Sequence, residues 1–426
     1  MSNKLETADL KKYLMIAFGL RMFGSVVYSM MIQYYYGYGD SFTFFDGSNF
    51  FTDQISKKPS DFTYLFASFK ETSEWYDSII TKSTGYFYTP SNNMVMRISA
   101  ILSYLSFNKF LIIALFFGFY SFVGQWRLFQ VFDDLNKQRN RKLLAFAVLF
   151  SPSIWFWGSG LLKDSICLGS LGFIIHILYN LFEKKKFTFK DLLFLCFLVY
   201  MVAIIKSYII IIVCVGIALM VIMQFFKSIK NKVFRLAAIL FALLLTGIIL
   251  YNSDFTDVVG SMAEGSITQI KEFQQSYVTL QEADENSKAG FGLGELDGSI
   301  NNLILKSPLV IFTCLFRPFL WESKKLIILF TSLESTLLLL STLFVMIRMG
   351  IIHFFLVIFR KPYLLFCFSI SIIFALVIGF TTFNFGTMIR YKIIFLPFYY
   401  FLLVHLYSTY IVSKKQLVTA RADQSV

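Results

Sequence analysis

Residues 191–226 read Asp191-Leu-Leu-Phe-Leu-Cys-Phe-Leu-Val-Tyr200-Met-Val-Ala-Ile-Ile-Lys206-Ser-Tyr208-Ile-Ile-Ile-Ile-Val-Cys214-Val-Gly-Ile-Ala-Leu-Met-Val-Ile-Met-Gln-Phe-Phe226. Between its ends this tract carries one charge, Lys206. A lipid span needs about 20 consecutive apolar residues, somewhat fewer when neighbours shield it. The tract is long enough for two, 191–205 and 208–226, joined by a Lys206-Ser-Tyr208 turn at a membrane surface. Working outward, similar runs recur at about 13–33, 109–130, 143–157, 165–182, 236–252, 327–347, 363–383 and 393–412. The expected fold is therefore all-α: a polytopic transmembrane helix bundle of about ten spans, one unit over 1–426. The runs at 143–157 and 191–205 are the shortest.

Composition agrees. Of 426 residues, 57% are hydrophobic and only 15% charged, against about half and a quarter in a globular domain. No water-soluble core could hide that much apolar surface. The 52 Phe and 23 Tyr crowd the spans and their ends, where aromatic belts form. The first run lacks a small-residue cleavage site and reads as a retained span. The five cysteines fall in apolar stretches without metal-ligand spacing and read as small buried hydrophobes.

The formal charge is +13, but its cations form short clusters between apolar runs, not the stripe of a nucleic-acid binder. With a cytoplasmic N-terminus the inside loops hold Lys137, Arg139, Arg141 and Lys142; Lys184, Lys185, Lys186 and Lys190; Lys227, Lys230, Lys232 and Arg235; Arg348, Arg360 and Lys361; and Lys414 and Lys415. That distribution satisfies the positive-inside rule and puts both termini in the cytoplasm. Two segments on the opposite side, 35–97 and 252–325, are too long to be connectors. The first is aromatic and acidic and the second holds Gly290-Phe-Gly-Leu-Gly294; together they are expected to form a partly helical extracytoplasmic cap.

Charges near bilayer depth are costly and mark functional candidates. Arg21, Lys206 and Glu334 qualify, although an interior ion pair or a snorkelling side chain is the plainer account of Arg21. Lys206 suits an interface anchor or a lipid phosphate. Gly37-Tyr-Gly-Asp40-Ser-Phe-Thr-Phe-Phe-Asp46 follows the first span and places two acids among aromatics, able to serve as a general base or a metal ligand, or as plain solvated acids. Ser151-Pro-Ser-Ile-Trp-Phe-Trp-Gly-Ser-Gly-Leu-Leu-Lys163-Asp164 breaks a span and delivers Lys163 to the outer face, with Asp164 at a helix N-terminus where the dipole favours an acid. Arg317-Pro-Phe-Leu-Trp-Glu322 reads as a short interfacial helix presenting Arg317 and Glu322 outward. In the last outer turn, Arg390 can grip a phosphate bidentately and Lys392 as a point charge.

The layout resembles the GT-C class of integral-membrane glycosyltransferases and related bacterial polysaccharide polymerases. The resemblance lies in Gly39-Asp40-Ser-Phe-Thr-Phe44 just after the first span, in Ser-Pro-Ser…Lys163-Asp164, in Arg317-Pro318…Trp321-Glu322 and in Arg390-Tyr391…Pro397. It implies sugar transfer or polymerisation from a polyprenyl-phosphate-linked donor to a glycan, lipid or protein acceptor at the outer face of a bacterial inner membrane. Asp40 would be the base, with Asp46 its substitute or partner. Lys163, Lys206, Arg317, Arg390 and Lys392 would bind phosphate, with Asp164, Glu322 and Glu334 in support. Ser41 stands where many members carry a second acid, so metal dependence stays open: a divalent cation is allowed, no cofactor is required. An arginine-dependent O-antigen or capsule polymerase and a lipid-linked oligosaccharide flippase are the alternatives, the latter wanting several cations at mid-depth.

Overall fold

The computed structural model describes residues 2–80, 86–229, 300–322 and 326–423. Among these the regular structure is helical, without strands. Six helices are long and apolar enough to cross a membrane, seven if the bent pair Phe385–Lys392 and Leu396–Val412 is one span. The chain is thus a multi-pass helical membrane protein. It divides into two compact units, Met1–Ile211 and Ile212–Val426.

In the first unit, α1 (Ser2–Met30) continues through a π-turn, Met31–Tyr36, that ends on left-handed Gly37. The expected first outer segment is mostly helical: α2 (Asp40–Lys57), a 3-10 turn (Pro59–Leu65), α3 (Phe69–Ile79) and α4 (Pro90–Ser106). α2 and α4 pack together. Aromatics fill their core, with Tyr76 stacked on Phe87 at 3.9 Å and Phe51 on Trp75 at 5.4 Å. The helix α4 extends past Arg97, where the sequence reading ended this segment; its Ser, Asn and Arg content hid it from a hydropathy argument.

The membrane core of this unit is α5 (Phe110–Leu135) against α8 (Lys163–Phe182) and α1. A Cβ added to Gly124 would lie 2.0 Å from the Gly169 carbonyl oxygen, and one on Gly172 would lie 2.0 Å from that of Gly124. Small residues let backbones approach where lipid supplies no hydrophobic drive between helices.

The expected span 143–157 is two short helices, α6 (Arg141–Leu149) and α7 (Pro152–Trp157). Pro152 is the cause: it lacks the N–H that would donate to the Val148 carbonyl four residues back. Gln125 Nε2 fills that vacancy by donating to Val148 O, as backbone at membrane depth requires. The Gln125 amide oxygen accepts in turn from buried Arg21, whose guanidinium also reaches Ser121 Oγ at 3.1 Å. Arg21 has no carboxylate partner among the described residues. Its polar side-chain contacts hold the broken span.

The quoted tract, α9 (Phe189–Ser228), is two helical stretches that meet at Lys206, whose backbone is non-helical (φ −151°, ψ 80°), so the expected division of the tract falls where the sequence put it. The expected Lys206-Ser-Tyr208 surface turn is thus a kink. In the second unit, α10 (Ile300–Phe316) occupies what was read as the end of the long outer loop. Residues 252–299 of that loop, and the span expected at 236–252, lie outside the described residues. There follow α11 (Leu326–Met349), α12 (Ile351–Arg360), α13 (Pro362–Thr381), α14 (Phe385–Lys392) and α15 (Leu396–Asp423). α13 packs on α10 and α15, and α14 meets α15 at a 62° bend.

Candidate functional site

The named residues fall in both units. In the first, Gly39 (φ +130°) turns the chain so that Asp40 opens α2, where the positive end of the helix favours an acid. Asp40 is half-buried and its Oδ1 accepts a 2.5 Å hydrogen bond from the Tyr86 hydroxyl. The Tyr86 ring packs on Phe44 at 5.9 Å. Lys163 Nζ lies 6.0 Å from the same Phe44 ring and donates to Ser91 Oγ at 2.7 Å. Asp40 and Lys163 thus border one aromatic cluster from α2 and from the start of α8. The junction is fastened beneath: Tyr28 OH and Ser41 Oγ are 2.9 Å apart, and Ser41 donates to Leu161 O.

Asp46 does not join them. Six residues on, a helix carries it about 120° around from Asp40, onto an exposed position; residual desolvation raises its carboxyl above the usual carboxylate value. Helical phase rules it out as a direct partner of Asp40.

Lys206 and Asp164 form a buried ion pair at 2.5 Å, 8% and 0% exposed. Asp164 sits in the first turn of α8 without a capping hydrogen bond from the preceding Leu162. A lysine this deep serves its own carboxylate before any ligand phosphate, so the surface-anchor reading of Lys206 does not hold.

In the second unit, Arg317 and Glu322 bond to each other through Nε at 3.0 and 3.1 Å and through Nη2. Glu322 also accepts the Phe319 N–H at 2.8 Å. Burial raises its carboxyl, but these donors outweigh it and hold Glu322 below the ordinary glutamate value. The short turn after Pro318 (Leu320–Glu322) closes on itself instead of presenting both charges outward. Arg317 also lies over the Phe385 ring at 5.3 Å.

Lys392, 2% exposed, donates to the carbonyls of Arg317 at 2.6 Å and Leu315 at 3.5 Å. It neutralises the C-terminal end of α10, where unpaired carbonyls and the dipole favour a cation. Arg390 is half-buried, its guanidinium over the Tyr391 ring at 5.3 Å. Glu334 accepts from Tyr400 OH at 2.5 Å.

Of the phosphate-binding candidates, Lys163, Arg317 and Arg390 are half-buried, whereas Lys206 and Lys392 are deeply buried. The sequence reading missed Tyr86, Ser91 and Tyr400, polar residues in no motif that reach their partners only through the fold. No group of three or more His, Cys, Asp or Glu among the described residues is arranged to hold a metal ion.

These features define a multi-pass membrane protein with acid–cation clusters at helix ends. Compared with family models, with curated proteins and with solved structures, the chain matches none of them.

Proposed function

We propose that this chain is a membrane glycosyltransferase of GT-C-like character, transferring or polymerising sugars from a polyprenyl-phosphate-linked donor at the extracytoplasmic face of a bacterial inner membrane. The observation that supports the reading is that Asp40, through Tyr86, and Lys163 both border the Phe44–Tyr86 aromatic pair. Sugar transfer from a lipid phosphate needs both signs of charge: a carboxylate to take the acceptor hydroxyl proton and a cation to receive the phosphate that leaves.

In this scheme Asp40 accepts the proton as the acceptor oxygen attacks the anomeric carbon. The bond from that carbon to the phosphate oxygen breaks with inversion, and polyprenyl phosphate departs toward Lys163. Tyr86 keeps the Asp40 carboxylate oriented. Arg317 and Arg390 are separate phosphate-binding candidates within the second unit. The basic clusters at Arg141 and Lys184 belong to the cytoplasm under the positive-inside rule. α8, 20 residues and about 30 Å long, then carries its Lys163 end to the opposite face. Ten spans, cytoplasmic termini and an outer cap built from 35–97 and 252–325 complete the proposed topology. The Arg317, Arg390 and Lys392 cluster favours the arginine-dependent polymerase as the second reading.

The test is Asp40→Asn assayed for product from a polyprenyl-phosphate sugar. Normal insertion with product lost is expected; wild-type product removes Asp40 from the mechanism.

A further inference from the structure

Beyond the Asp40 cluster, the 3-10 turn and α3 border an open cleft of about 690 Å³, lined by Tyr64, Phe66, Glu71, Glu74, Trp75 and Ser78 among others. Its oddity is Phe66, 70% exposed in a loop fastened from several sides. Buried Arg97 donates Nη1 to Ala67 O at 2.6 Å and Nη2 to Thr72 Oγ1 at 2.5 Å. Ser68 and Glu71 close a reciprocal capping box at the start of α3. Trp75 Nε1 donates to Asp61 Oδ2 at 2.9 Å, and its ring is stacked between Tyr64 at 4.8 Å and Phe51 at 5.4 Å. The aromatic wall is therefore preorganised, and Phe66, its ring 5.7 Å from that of Phe62, is held exposed by a loop that other contacts fix.

The polar side of the cleft is acidic. Glu71 and Glu74 face it, and the nearest ion pair is the exposed Lys70–Glu74 contact at 3.9 Å. The complementary ligand presents an apolar face to a phenyl ring and hydroxyl or amine donors to carboxylates, and carries no negative charge of its own. A sugar ring has that split surface, with C–H groups on one face and hydroxyls at its edge.

We infer that this cleft is a glycan subsite for a neutral or amino-sugar acceptor chain, which rests on the glycosyl-transfer reading above. Trp75 packs on Phe50 and Phe51 of α2, and Phe51 lies about 16 Å along that helix from Asp40 at 1.5 Å per residue. A chain seated on Phe66 and Tyr64 extends from there toward Asp40.

The experiment measures binding rather than turnover: titration of the protein in lipid nanodiscs with cellohexaose, chitohexaose and mannohexaose. At least one binds wild type, and Phe66→Ala and Glu74→Gln each weaken it about tenfold or more, while the unfolding temperature of these exposed-site variants stays unchanged. No binding by any of the three, or equal binding by Phe66→Ala, overturns the subsite. Phe66→Trp with nitroxide lipids labelled at headgroup depth is expected to show no quenching. Strong quenching makes Phe66 a membrane anchor and also overturns it. Glycan binding in a wild-type protein that forms no product from a polyprenyl-phosphate sugar sinks the transferase reading and leaves the subsite. Product formation without glycan binding does the reverse.

Discussion

Lys206→Met isolates the largest electrostatic commitment in the first unit. Lys206 Nζ stands 2.5 Å from Asp164 Oδ1, and the two side chains are 8% and 0% exposed. At that burial the pair itself is worth little relative to an apolar replacement, because desolvation offsets the Coulomb attraction. Removing one partner instead strands a charge, at a cost of about 3–5 kcal/mol. At 1.4 kcal/mol per decade, this shifts the folding equilibrium by roughly two to four decades. The assay is reversible unfolding in mixed micelles, with Asp164→Leu and the double variant completing a cycle. Each single substitution should lose several kcal/mol, whereas the double loses clearly less than their sum. A Lys206→Met protein within about 0.5 kcal/mol of wild type, well below the stranded-charge cost, would refute the buried pair and restore Lys206 as a surface anchor.

Gln125→Leu strips partners from both Arg21 and the Val148 carbonyl, and should cost about 1–3 kcal/mol for each buried group left unpaired; a neutral effect in the same micelle assay argues against the repaired break at Pro152. Gly124→Val drives a side chain into the Gly169 backbone and should abolish stable folding, read as loss of a monodisperse peak in size-exclusion chromatography, while Ala at exposed, uncrowded Gly19 should be harmless. The folded Glu322 carboxyl titrates below its unfolded value, so its ion pair contributes fully above the ordinary glutamate pKa of about 4.3 and is lost as pH falls through the lower folded value. Unfolding temperature should therefore decline below about pH 4.3, less steeply in Glu322→Gln; identical pH profiles would remove that pair from the acid response.

The sequence determined that this chain is helical and lives in lipid, because apolar runs of span length leave no other way to satisfy backbone hydrogen bonds in hydrocarbon. It also picked out charges whose positions the structure describes: Asp40 after the first span, Lys163 after the Pro152 break and Arg317 beside Pro318 were all legible as charges at the ends of apolar runs. Their partners were not. Tyr86 meets Asp40 across 46 positions and Lys206 meets Asp164 across 42, separations at which no local periodicity carries information. Lys206 and Lys392 read as outer-surface cations, yet tertiary packing buries both, one against a carboxylate and the other against the open carbonyls of a helix end. Hydropathy measures what a segment prefers as solvent; which polar group neutralises which is decided only when helices from distant parts of the chain come into contact.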